Sequence, residues 1–168
     1  MSRFIKKSAF SIIEIIVVLF IISIGLIGIL SLIVQNIQSQ SYNQGNLIAY
    51  QLSQEGVELI RRVRDTNWNS LQDFNTDLAP AIGTVHEYYM DFDDSLPTEI
   101  FDGTPRELNI DANGFYVYDV ASDPSGFSRL IKVELLDDTR MRVESGVYWN
   151  DSKRDYSYVV ETLLYDWF

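Results

Sequence analysis

The stretch Phe10-Ser11-Ile12-Ile13-Glu14-Ile15-Ile16-Val17-Val18-Leu19 opens an apolar run that continues to Val34 and carries one charge, Glu14. About 20 apolar residues span a bilayer, so the run is long enough to cross one as a helix. A carboxylate at membrane depth costs roughly 2.5–3.5 kcal/mol on insertion scales. A simple anchor has no use for it. Glu14 therefore needs a cationic partner, and no other charged side chain lies between Lys7 and Gln35 to provide one.

The residues before the run read Arg3-Phe4-Ile5-Lys6-Lys7-Ser8-Ala9, short, basic and ending in a small side chain. A cut between Ala9 and Phe10 would create a positive amine on Phe10, one helical turn from Glu14. The positive end of the helix dipole also favours a carboxylate in the first turn. The amine of the same chain and that of a neighbouring chain both satisfy Glu14, and the second turns an insertion penalty into an assembly rule. An ordinary secretory signal has a shorter apolar core followed by a small-x-small cleavage site, whereas here Gln35-Asn36-Ile37-Gln38-Ser39-Gln40 follows. A plain anchor accounts for the length of the run but leaves Glu14 without a role.

At these residues the chain resembles the type IV pilin superfamily: pilins, minor pilins and the pseudopilins of type II secretion. The resemblance covers about the first 55 residues. It implies that a prepilin peptidase cuts between Ala9 and Phe10 behind the basic leader of Lys6 and Lys7, and then methylates the Phe10 amine. It further implies that Glu14 pairs with the N-terminus of an adjacent subunit as a filament grows. The chain departs from the family in having Ala9 where Gly is usual before the cut, and Ser31 where many members have Pro. Gly25 and Gly28 stand nearby, as helix-loosening residues or as small residues for close helix packing. The implied partners are other pilin or pseudopilin subunits, the peptidase, the pilus or secretion assembly platform, and the bilayer before assembly. The implied role is structural, most of all that of a minor subunit, and not enzymatic. The alternative is a membrane-anchored extracytoplasmic binding or adhesion domain that never polymerises.

Composition sets the outer bounds. With 168 residues and one apolar span there is room for one further domain of about 100 residues. Arg3, Lys6 and Lys7 precede the span, so the N-terminus should stay cytoplasmic and the C-terminal domain face outward, in a single-pass inner or plasma membrane protein. Counted from Phe10, the chain keeps 10 basic and 24 acidic residues, a net charge of −14. Such acidity does not indicate binding to nucleic acid phosphates. There are no cysteines, which excludes disulfides, thiol nucleophiles and cysteine metal sites.

Helical spacing persists beyond the span. Residues 35–46 are polar; Ile48, Leu52, Gly56, Leu59, Ile60 and Val63 then form one stripe. Glu58 and Arg62 are spaced for an ion pair, and Asp65-Thr66-Asn67-Trp68-Asn69 reads as the stop. Residues 66–112 read as largely irregular, with one candidate strand over 83–92. Strands are expected at 115–118, 130–136, 141–149 and 156–165, joined by turns at Asp111-Ala112-Asn113-Gly114, Asp137-Asp138-Thr139 and 150–155. The expectation is an α+β fold, a long N-terminal helix packed by its second half on a roughly four-stranded antiparallel sheet. The chain divides into a leader (1–9), a membrane or filament-core helix (10–34), its amphipathic continuation (35–65) and an extracytoplasmic domain (66–168).

Other chemistry is sparse. Asp111-Ala112-Asn113-Gly114 has turn composition and lacks the ligand series of a calcium loop. Some pseudopilins bind calcium in a C-terminal loop, so the resemblance leaves a structural calcium as the alternative; no cofactor or metal ligand set is otherwise expected. Asp91, Asp93 and Asp94 read as a solvated acidic loop, with a hard-cation site as the alternative. His86, the only histidine, has no Ser or Asp to complete a triad.

Overall fold

The computed structural model describes residues 11–100, 102–119, 123–150 and 154–166. Among these, one helix, α1 (Ile12–Asn69), precedes seven strands: β1 (Val85–Tyr89), β2 (Thr98–Ile100), β3 (Arg106–Ile110), β4 (Tyr116–Val117), β5 (Asp123–Asp137), β6 (Arg140–Asn150) and β7 (Asp155–Tyr165). The chain forms two units, Met1–Asn43 and Gln44–Phe168, and α1 runs through both.

In the second unit α1 buries Ala49, Leu52, Ser53, Gly56, Val57, Ile60 and Val63, the stripe expected from spacing together with its small members. Gly56 is a contact requirement. A Cβ there would lie 3.1 Å from the Cβ of Ser145 on β6 and closer still to its hydroxyl. The helix does not stop near residue 65. Asn67 is buried and its Nδ2 donates to the Thr76 carbonyl at 2.8 Å. Trp68 lies under the Arg64 guanidinium at 4.3 Å, and its Nε1 donates to Asp166 at 3.2 Å. These contacts hold a turn that the sequence Asp-Thr-Asn does not favour on its own. The end is a Schellman closure: Gln72 N donates to Asn67 O, Leu71 N donates to Trp68 O, and Leu71 takes φ 57°. The expected Glu58–Arg62 pair is replaced. Glu58 pairs with Arg61, while Arg62 donates to the carbonyls of Phe92 and Asp94 and so pins the 91–94 loop.

β5 is the axis of the sheet. Along one side it pairs antiparallel with β6, which pairs with β7 in an unbroken register. Its other side is shared: β1 takes the stretch around Ile131–Glu134, and β3 takes the stretch from Asp123 to Arg129. β2 extends β1 and β4 extends β3. The class is therefore α+β as expected, with seven strands in place of about four. The additional pairing strands β2 and β3 lie in the region read as irregular, and β3 is out of register with a simple ladder at Leu108/Asn109.

The inward face alternates along β5 as Phe127, Arg129, Ile131, Val133 and Leu135, all buried. One apolar cluster gathers Ile60, Val63, Leu78, Met90, Ile131 and Val143 among others; a second gathers Ala49, Leu52, Leu108, Phe127 and Val147.

Candidate functional site

The first unit consists, among the described residues, of α1 alone. Every residue from Ile12 to Val34 is exposed, and α1 is long and apolar enough to cross a membrane. Burying a Val, Leu, Ile or Phe side chain is worth about 1.5–3 kcal/mol, so a helix of this composition needs an apolar cover. Its backbone is satisfied internally, the condition for lying in lipid. The Ser23 hydroxyl donates to Leu19 O at 2.7 Å, which removes one polar group from that surface. A Cβ built at Gly25 or Gly28 meets nothing within 4 Å.

Glu14 sits in the first turn, its backbone N donating to Ser11 O at 3.0 Å. Its carboxylate makes no hydrogen bond or ion pair among the described residues. The N-terminal dipole favours it there without neutralising its charge. Lys6, Lys7, Ala9 and Phe10, the leader charges and the two residues of the expected cut, lie outside the described residues.

The second unit carries its own polar centre, on Arg129. This side chain is fully buried on the helix-facing side of β5. Nε donates to Tyr118 Oη at 3.0 Å, Nη1 to Leu52 O at 3.2 Å and Glu55 Oε1 at 3.0 Å, and Nη2 to Met90 O at 2.8 Å. One guanidinium thus joins α1, β5, the segment after β1 and the segment after β4. Burial raises the Tyr118 phenol, against the opposing pull of Arg129. Asp91 accepts Tyr118 N at 2.9 Å, and burial raises its carboxyl above the usual range. The arrangement is a brace: its donors and acceptors face one another.

The remaining candidates are turns and pairs. Asp111 accepts from the backbone N of Phe115 at 2.8 Å and of Asn113 at 2.9 Å. The Phe115 bond in particular lowers its carboxyl. Its oxygens serve the turn, and among the described residues no group of three His, Cys, Asp or Glu side chains is placed to hold a metal ion. Asp94 Oδ2 accepts Asp91 N at 2.9 Å within the acidic loop. His86 Nδ1 faces Glu99 Oε1 at 2.7 Å across the β1–β2 pair, with Nε2 buried and unpartnered among the described residues.

No protein-family model matches the chain, and comparisons with curated proteins and with solved structures give no match. Any reading of function therefore rests on the residues themselves.

Sequence reasoning singles out Glu14 through its isolation. It missed Arg129, although the signal is present. In Phe127-Ser128-Arg129-Leu130-Ile131-Lys132-Val133 the arginine occupies an apolar-phase position of a period-two pattern, which places a charge on the buried face.

Proposed function

We propose that the chain is a prepilin-like structural subunit of a type IV pilus or of a related secretion pseudopilus, with a minor subunit the favoured role. The observation that carries this reading is Glu14: a carboxylate with no ion pair among the described residues, in the first turn of a helix whose stretch from Ile12 to Val34 is exposed and carries no other charge. The leader, with Lys6 and Lys7, holds the precursor with its N-terminus in the cytoplasm. Hydrolysis of the Ala9–Phe10 peptide bond leaves a carboxylate on Ala9 and a new amine on Phe10, which the peptidase then methylates. That amine, on a neighbouring subunit, is the cation that Glu14 lacks. The apolar helices of adjacent subunits supply the cover that lipid gave before assembly, so leaving the bilayer costs little net apolar exposure. The second unit decorates the filament exterior. The partners are the peptidase, the assembly platform and other subunits, and the role is not catalytic.

The test is the intact mass and N-terminal residue of the chain purified from its native membrane or filament fraction. A chain that begins at N-methyl-Phe10 supports the reading. A chain that still begins at Met1, in cells with an active prepilin peptidase, overturns it in favour of an anchored domain that does not polymerise.

A further inference from the structure

The two sides of the sheet end differently. On the side of β1 and β3 the outermost strands are β2 and β4, of 3 and 2 residues. Such short edges offer little for another strand to pair with. On the other side the outermost strand is β7, of 11 residues, pairing with β6 and, among the described residues, with no other strand. β7 contains no Pro, Gly, Lys or Arg, and its register with β6 has no bulge. Of the devices that ordinarily keep a long edge from pairing, Pro, Lys and a bulge are absent from it.

The solvent-facing side of β7 has a specific pattern. Val159, Glu161 and Leu163 alternate there, with Val159 48% and Leu163 39% exposed. Glu161 is the register partner of Glu144 on β6. Like charges directly opposite each other on one face of a sheet are destabilising, and neither carboxylate has an ion pair among the described residues. The neighbouring acids on that face are matched: Glu134 pairs with Arg142, and Glu87 with Lys132. Glu144 lies opposite Lys132 in the β5–β6 register, so Glu161 is the acid on this face with no cation opposite it among the described residues, beside the open edge.

We propose that β7 accepts an extended segment of a basic partner protein as an eighth strand, with a Lys or Arg opposite Glu161 and apolar side chains two residues to either side. Backbone hydrogen bonds to the free edge hold the segment, and the alternate side chains select it, the general mode of strand addition. A second copy of this chain is the poorer occupant. The charges of β7 are Asp155 and Glu161, so pairing β7 with β7 brings no cation to either carboxylate. The inference stands on the second unit alone and does not depend on the prepilin reading.

The experiment uses the full chain in detergent micelles and two short labelled peptides. Each alternates Val and Thr, one with a central Lys and the other with a central Glu. The Lys peptide should bind about tenfold tighter than its twin, since an attractive charge pair replaces a repulsive one. It should also slow amide exchange in β7, and Glu161→Lys should invert the preference. Equal affinity for the two peptides, absence of binding, or exchange protection outside β7 overturns the inference. So does protection of β7 that rises with chain concentration without peptide, which assigns the edge to a second copy.

Discussion

Arg129 on β5 lies 3.0 Å from Glu55 on α1, with the arginine side chain wholly buried and the glutamate side chain 36% exposed. The pair is unequal: Glu55 retains water if its partner goes, whereas Arg129 holds three further acceptors, two of them the carbonyls of Leu52 and Met90 in buried bonds. Arg129→Ala should therefore cost about 3–5 kcal/mol, the scale for breaking a buried charged network. Glu55→Gln should cost about 1 kcal/mol, the scale of one hydrogen bond. Urea unfolding of both variants decides whether the weight lies on the arginine. Equal losses would show that the ion pair, and not the carbonyl and phenol contacts, carries the brace.

Gly56→Ala raises helix propensity by about 1 kcal/mol, yet it should destabilise, because the new methyl enters the space of Ser145. The Ser145 hydroxyl is buried without a hydrogen-bond partner among the described residues, so Ser145→Ala should be neutral or stabilising. Ser145→Gly should recover part of the Gly56→Ala loss. A thermal double-mutant cycle that gives additive effects would place the clash elsewhere.

Leu71 caps α1 in the left-handed region with its side chain 96% exposed. Nothing is gained by packing there, and a non-glycine residue in that region costs about 1–2 kcal/mol. After the greater chain entropy of glycine is deducted, Leu71→Gly should stabilise by roughly 0.5–1 kcal/mol. A lowered melting temperature would count against the Schellman closure.

Asp137 accepts from Arg140 and Thr139 in the β5–β6 turn, and these bonds, led by the Arg140 side-chain hydrogen bond, hold its carboxyl down at about 2 against an ordinary 3.8. A depressed carboxylate stabilises the fold above its ordinary value, and the contribution is lost as the pH falls toward 2. Wild type should exceed Asp137→Asn in stability at neutral pH, and the two should converge over that acid window. A difference that persists unchanged at low pH would trace the loss to something other than this charge.

If the chain is the prepilin-like subunit we propose, Glu14→Ala should leave membrane insertion intact and abolish filament assembly, because it removes the carboxylate without shortening the span. Membrane fractionation together with filament counts by electron microscopy separates the two effects. Filaments of normal number and length would remove Glu14 from the assembly rule.

Much of this was legible in residue order. The apolar run, the stripe from Leu52 to Val63 and the alternation in β5 to β7 are local periodicities, and a period survives whatever surrounds it. β2 and β3 were not legible. Thr98-Glu99-Ile100 and Arg106-Glu107-Leu108-Asn109-Ile110 carry little alternation, and they become strands because β1 and β5 offer edges to them. The end of α1 was misjudged for the same reason, since Asn67 and Trp68 are held by Thr76 and Asp166. Glu14 was plain because an isolated charge in an apolar run is a local anomaly. Arg129 was hidden because four of its partners lie between 11 and 77 residues away.

The central place of β5 also dictates when the second unit can form. The β1–β2 and β3–β4 hairpins and the apolar face of α1 are all made before residue 123, and each closes against a strand that has not yet been synthesised. Until the last third of the chain arrives, they can hold only transient order. Folding of the second unit is thus a late event in the life of the nascent chain, and truncation between α1 and β5 should leave an adhesive, protease-sensitive fragment and not a smaller folded domain.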